Sequence, residues 1–118
     1  MLFASAAPAY ALTVSIGGDS SATGHVLQWI FPANSVVVTG GSGNYKYSLA
    51  TTNDHIFRWS TRGTAQSFSP VANTSQIQTC ELSQATYTVT VTDVSTGQKA
   101  TSNAATYTYN YFNGNPCP

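Results

Sequence analysis

Nine residues, Ala85 to Asp93, read Ala-Thr-Tyr-Thr-Val-Thr-Val-Thr-Asp and repeat with a strict period of two. Successive side chains on a strand point to opposite faces. Tyr87, Val89 and Val91 therefore share one apolar face, while Thr86, Thr88, Thr90 and Thr92 line the other with hydroxyls. Valine and threonine are β-branched and suit a pleated surface. The expectation is a strand with Tyr87, Val89 and Val91 buried and Thr88 and Thr90 outside.

The rest of the chain repeats this pattern in shorter pieces. Leu12–Ile16 alternates, and Gly17 to Ser21 reads as a turn that Gly24 closes. His25–Phe31 carries Leu27, Trp29 and Phe31 at period two and stops at Pro32. Ser35–Thr39 and the alternation of Tyr45, Tyr47 and Leu49 flank a Gly40–Asn44 turn. Further strands are expected at His55–Ser60, weakly at Gln66–Val71 ending near Pro70, and at Ile77–Leu82. Ser95–Gln98 turns the chain into a long last strand, Ala100–Phe112. No window holds a period of 3.6, so many short strands with close turn signals predict an all-β sandwich or barrel.

Composition narrows the function. The 118 residues suffice for one domain with its own core. Only 7% are charged, against about 25% in ordinary soluble domains, so Ser, Thr, Asn, Gln and Tyr must cover the surface. Zero formal net charge removes repulsion between copies. No basic patch offers to neutralise phosphates, so nucleic acid is not an expected partner. No apolar run reaches the roughly 20 residues that cross a bilayer, so no membrane is expected either.

Gly40-Gly41-Ser42-Gly43-Asn44-Tyr45-Lys46-Tyr47-Ser48-Leu49, followed later by Ala85–Asp93, resembles bacterial and bacteriophage immunoglobulin-like (PKD-like) modules. Leu49 stands where a tryptophan is usual in them. The resemblance implies an immunoglobulin-like antiparallel β-sandwich of about seven to nine strands over residues 12–118. It makes Tyr87 similar to the tyrosine corner, whose hydroxyl bonds back to the backbone at the turn before its strand. Val89 stands where antibody domains carry a cysteine. In such a sandwich Cys80, near the end of strand E, and Cys117, beyond strand G, arrive at the same end. The resemblance thus implies a Cys80–Cys117 disulfide, which a chain-entropy estimate values at about 3–4 kcal/mol; the alternative is a buried Cys80 and a free tail thiol.

Chemistry-bearing residues are sparse. Asp19, Asp54, Glu81 and Asp93 are widely spaced, and His25 and His55 are the two histidines. Asp54 and His55 are neighbours on an expected strand and would point apart. No nucleophile motif, phosphate loop, paired-histidine or Cys-x-x-Cys spacing occurs, so no catalytic residue, cofactor or metal ligand is assigned. Asp93 and the Gly40–Asn44 loop would share one end of the sandwich, as in calcium-binding relatives, but calcium wants six to eight oxygens. Asn73-Thr74-Ser75 fits a glycosylation sequon.

Surface features therefore carry the functional expectation. Tyr107, Tyr109 and Tyr111 share one face of the last strand: either they join the core beside Tyr87, or they form an aromatic strip for a sugar or a neighbouring subunit. The threonine face of Thr86–Thr92 resembles the hydroxyl arrays of ice-binding sheets, although a solvent-facing sheet explains it more simply. Met1–Ala11 ends in a signal-peptidase-like Ala9-Tyr10-Ala11 but lacks a positive n-region. It is expected to be a structural arm, with Leu2, Phe3 and Tyr10 as assembly anchors on a neighbouring copy. The resemblance implies a non-enzymatic structural protein of a bacteriophage virion, a capsid decoration or tail component. Its partners would be other virion proteins or copies of itself. The alternatives are a secreted cell-surface or filament module and a carbohydrate-binding module.

Overall fold

The computed structural model describes residues 11–60, 66–74 and 80–112. Among these, ten strands and no helix occur: β1 (Thr13–Ile16), β2 (Ser20–Gly24), β3 (Gln28–Ile30), β4 (Asn34–Thr39), β5 (Tyr45–Thr51), β6 (Phe57–Ser60), β7 (Ser67–Asn73), β8 (Cys80–Asp93), β9 (Lys99–Thr101) and β10 (Ala105–Phe112). They form two packed sheets. In the first, β1 pairs with β4, β4 and β3 lie end to end along one side of β7, and β6 lies along the other. In the second, β8 is flanked by β5 on one side and by β10 and β9, end to end, on the other. β2 completes it, running parallel to β10 while every other pairing is antiparallel.

Seven strand positions thus appear as ten strands, because three positions are each broken in two. Positions one, two, five and four share one sheet, and three, six and seven the other, which is the order of an immunoglobulin-like sandwich. Each break has a local cause. The first strand crosses between the sheets at Gly17–Asp19, where Asn34 Oδ1 accepts the Gly17 N–H at 2.7 Å. Asn103 fixes the same point, accepting from Ile16 N at 2.9 Å and donating to Ile16 O at 3.1 Å. Between β9 and β10, Ser102, Asn103 and Ala104 stand opposite only Thr88 and Val89, a bulge with one extra residue. There the Ser102 hydroxyl accepts the Val89 N–H at 3.0 Å.

The third break explains how β7 runs past Pro70, where the sequence led us to expect a strand end. In an antiparallel ladder the N and O of one residue face the same neighbour. Pro70 O accepts from Phe31 N at 2.8 Å, so the missing N–H of Pro70 faces the gap between β3 and β4. A proline is tolerated where no ladder bond is required of it.

The alternation at Tyr87 is borne out. Tyr87, Val89 and Val91 have no exposed surface, and Thr88 and Thr90 lie on the outer face, part-covered by their neighbours. β8 also takes in part of what the sequence separates as Ile77–Leu82, being continuous from Cys80. Across the sandwich Tyr87 stacks on Phe68 at 5.8 Å, and within its own sheet it meets Tyr107 edge-on at 5.3 Å. Phe31 packs edge-on against Tyr107, and Trp29 stacks on Tyr109. The tyrosine hydroxyls then reach partners beyond their own sheet. Tyr87 donates to Arg58 O at 2.5 Å, Tyr109 donates to Val26 O at 2.6 Å, and Tyr107 accepts from Asn34 Nδ2 at 2.8 Å. Burial pushes Tyr87 up to about 12 and raises Tyr107 and Tyr109 as well.

Tyr87 therefore departs from the expected corner. It sits midway along β8, and its hydroxyl ties β8 to β6 of the opposite sheet instead of folding back under the preceding turn. Two other expectations are corrected. Ser20–Gly24 is a strand, not part of a turn. Asp54–Ile56 form a turn before β6, with Asn53 at φ 53° and its carbonyl accepting from Ile56 N and Phe57 N.

Candidate functional surfaces

Several predicted site residues have structural places. Tyr107, Tyr109 and Tyr111 are buried on the inward face of β10, so the core reading holds and the exposed aromatic strip does not. Their alternation was legible; which face met the core was fixed only by the pairing of β10 with β8, which sets Tyr107 beside Ala85 and Tyr109 beside Ser83. Leu2, Phe3 and Tyr10 lie outside the described residues, as does Cys117. Cys80 is not a free thiol, and it opens β8 opposite Phe112.

Asp93 and the Gly40–Asn44 loop do meet at one end of the sandwich. The buried Asp93 carboxylate accepts from Ser42 N at 2.5 Å and from the Ser42 hydroxyl at 2.8 Å. Its Oδ1 also accepts from Ser95 N at 3.0 Å and Thr96 N at 3.2 Å. The Ser42 N–H, foremost among these donors, holds the carboxyl below its usual range, against the opposing effect of burial. The carboxylate thereby ties two turns together and is saturated by protein donors. Gly41 is required beside it: its φ is +70°, and a Cβ there would run into Asp93 Oδ2. No group of three potential metal-ligating side chains occurs among the described residues.

The remaining acids and histidines do not converge. Asp19 Oδ1 accepts from Thr106 N at 2.8 Å and pins the end of β10. His25 lies 5.9 Å from the Phe112 ring, while Asp54 and His55 are exposed on the turn before β6. A cleft of about 600 Å³ lies at the β1–β2 crossover, and its deepest polar groups, Asn34 and Tyr107, are bonded to each other.

Two surfaces stand out. The first is the outer face of the second sheet, where the hydroxyl row of β8 continues sideways. Thr86 faces Thr106 at 3.4 Å, Thr90 faces Thr101 at 3.0 Å, and Gln84 donates to Thr108 at 3.1 Å. β2 extends it with Ser21 beside Thr108 and Thr23 beside Asn110. Lys46 and Lys99 flank Thr92 at one end, and Leu82, 68% exposed, lies at the other. From sequence only the β8 row was visible, because the other rows sit on separate strands. The second surface is a cleft of about 400 Å³ at the edge of β6, lined by Thr51, Asp54, Phe57, Arg58 and the 40%-exposed Trp59. The signal for it was two charged residues flanking a turn and strand in a chain with few charges, next to a tryptophan.

No protein-family model matches the sequence, and no curated protein matches it either.

Proposed function

We propose that the chain is a structural, non-enzymatic protein of a bacteriophage virion, a capsid decoration or tail component working through contacts with other virion proteins or with its own copies. The observation that carries this reading is the hydroxyl-covered outer face of the second sheet on a chain of zero net charge. Away from Lys46 and Lys99 at its one end, such a face can lie against a neighbour without a charge to desolvate, since its hydroxyls both donate and accept. The immunoglobulin-like strand order supports it, as does the resemblance of the Gly40–Leu49 and Ala85–Asp93 stretches to modules of that kind, though sandwiches of this order serve many roles.

The uncharged Met1–Ala11 segment is the proposed anchor, through Leu2, Phe3 and Tyr10. An extended segment of this composition offsets an ordering cost of roughly 1–2 kcal/mol per residue only against an apolar surface, and Pro8 suits an extended path. We further propose that Cys80 and Cys117 are joined. Deleting residues 1–11 should leave a folded, soluble sandwich that no longer enters particles. Normal incorporation of the deleted chain would refute the arm's role, and loss of folding would place the arm in the core.

A further inference from the structure

The cleft beside β6 holds charge that no described residue engages. The chain has four basic and four acidic side chains in all. One of each, Asp54 and Arg58, lines this one cleft with Trp59. Among the described residues, neither side chain has a hydrogen-bond or ion-pair partner. Their backbones, by contrast, are held firmly. Asn53 Nδ2 donates to Gln84 O at 3.0 Å and fastens the turn that carries Asp54 to β8. The Tyr87 hydroxyl anchors Arg58 O from beneath. The backbone beneath the walls is therefore set before any ligand arrives, which removes the backbone share of the ordering cost of binding.

From these observations we propose that the Trp59 cleft is a binding subsite for a neutral saccharide, a function separate from assembly and not dependent on it. A pyranose ring presents an apolar C–H face to a half-exposed indole, and a rim of hydroxyls that both donate and accept. A carboxylate only accepts and a guanidinium only donates, so Asp54 and Arg58 together match neighbouring hydroxyls, while the Thr51 hydroxyl, which donates to Thr52 O at 2.9 Å, is left to accept. An anionic or cationic ligand would meet one partner and one like charge. A protein partner fits less well. Phe57 beside the indole has no exposed surface, so the apolar contact is one ring, where a stable interface needs about 800 Å² from each side. A cleft of about 400 Å³ is at the small-ligand scale.

The test is isothermal titration of the full chain with neutral hexasaccharides of glucose, xylose, mannose and N-acetylglucosamine, with hexagalacturonic acid as the anionic comparison. At least one neutral oligomer should bind saturably with a dissociation constant of about 1 mM or tighter. Trp59→Ala should weaken it at least tenfold, Trp59→Phe less, and Asp54→Asn and Arg58→Gln each severalfold. Trp29→Phe, inside the sandwich, should leave affinity unchanged. Should Trp59→Ala fail to fold, the Asp54 and Arg58 variants decide. Absence of binding by every neutral oligomer overturns the proposal. So does binding only of the anionic one, or affinity untouched by the cleft variants.

Discussion

Replacing Val89 by alanine tests the register on which the whole sandwich depends. Val89 has no exposed surface and pairs with Leu49 of β5. Its backbone groups are bonded to Ser102, N to the hydroxyl at 3.0 Å and O from Ser102 N at 2.8 Å. Those bonds persist in the alanine variant, so the substitution removes side-chain packing alone. Two carbons leave the core, about 0.8 kcal/mol each in transfer free energy. The space they vacate adds up to about another 1 kcal/mol where neighbours cannot collapse. The expected loss is about 1.5–3 kcal/mol. In urea, with an m-value of about 1–3 kcal/mol/M, the midpoint should fall by about 0.5–3 M. Thr88→Ala, one residue away on the outer face, should change stability by no more than about 0.5 kcal/mol. An unchanged midpoint for Val89→Ala together with a large loss for Thr88→Ala would mean the register is displaced by one residue, turning every side chain over.

Alkali should unfold the sandwich through its tyrosines. The folded Tyr87 pKa is raised to about 12, so its stabilisation is complete below the unfolded value near 10 and is lost as pH rises through about 12. Tyr87→Phe should cost about 1 kcal/mol at neutral pH through the lost bond to Arg58 O, and its absence should show in the ultraviolet tyrosinate titration. The Asp93 shift is downward, so its contribution is present above the ordinary carboxylate pKa and is lost as pH falls through the depressed folded value; Asp93→Asn should flatten that part of an acid-unfolding curve. Gly41→Ala should cost at least about 1–2 kcal/mol from its left-handed backbone alone, whereas Gly18→Ala, with nothing within 4 Å of the added carbon, should be close to neutral in the same denaturation assay. Non-reducing peptide mapping should recover Cys80 linked to Cys117, and two free thiols in freshly purified protein would remove the bridge.

Where side-chain alternation was strong the sequence was legible. Tyr87–Val91 and Tyr107–Tyr111 each showed a two-residue period, and burial of one face follows from it. β2 was missed because Ser-Ser-Ala-Thr-Gly carries no such signal. Its inward positions are small for a tertiary reason: Ala22 stands beside Tyr109, and a Cβ on Gly24 would lie 3.1 Å from the Tyr109 hydroxyl. The ring sets the size of its neighbours, and no local pattern records that. Pro70 misled for a related reason, since the break in the partner strand that accommodates it lies far away in sequence. The Asp93 lock was half legible: the turn and the acid were placed at one end, but only the fold shows four protein donors closing on the carboxylate. The Trp59 cleft needed the turn at Asn53, which replaced the expected strand start and brought Asp54 beside Trp59.

The central functional claim is that the chain belongs to an assembled particle. Quantitative mass spectrometry of purified phage particles from cultures producing the chain tests it most directly. The account predicts that the chain co-purifies with the particles at a fixed copy number relative to the major shell or tail-tube protein and resists washing. Recovery of the chain only in the soluble or cell-surface fraction, with none in the particles, would contradict it.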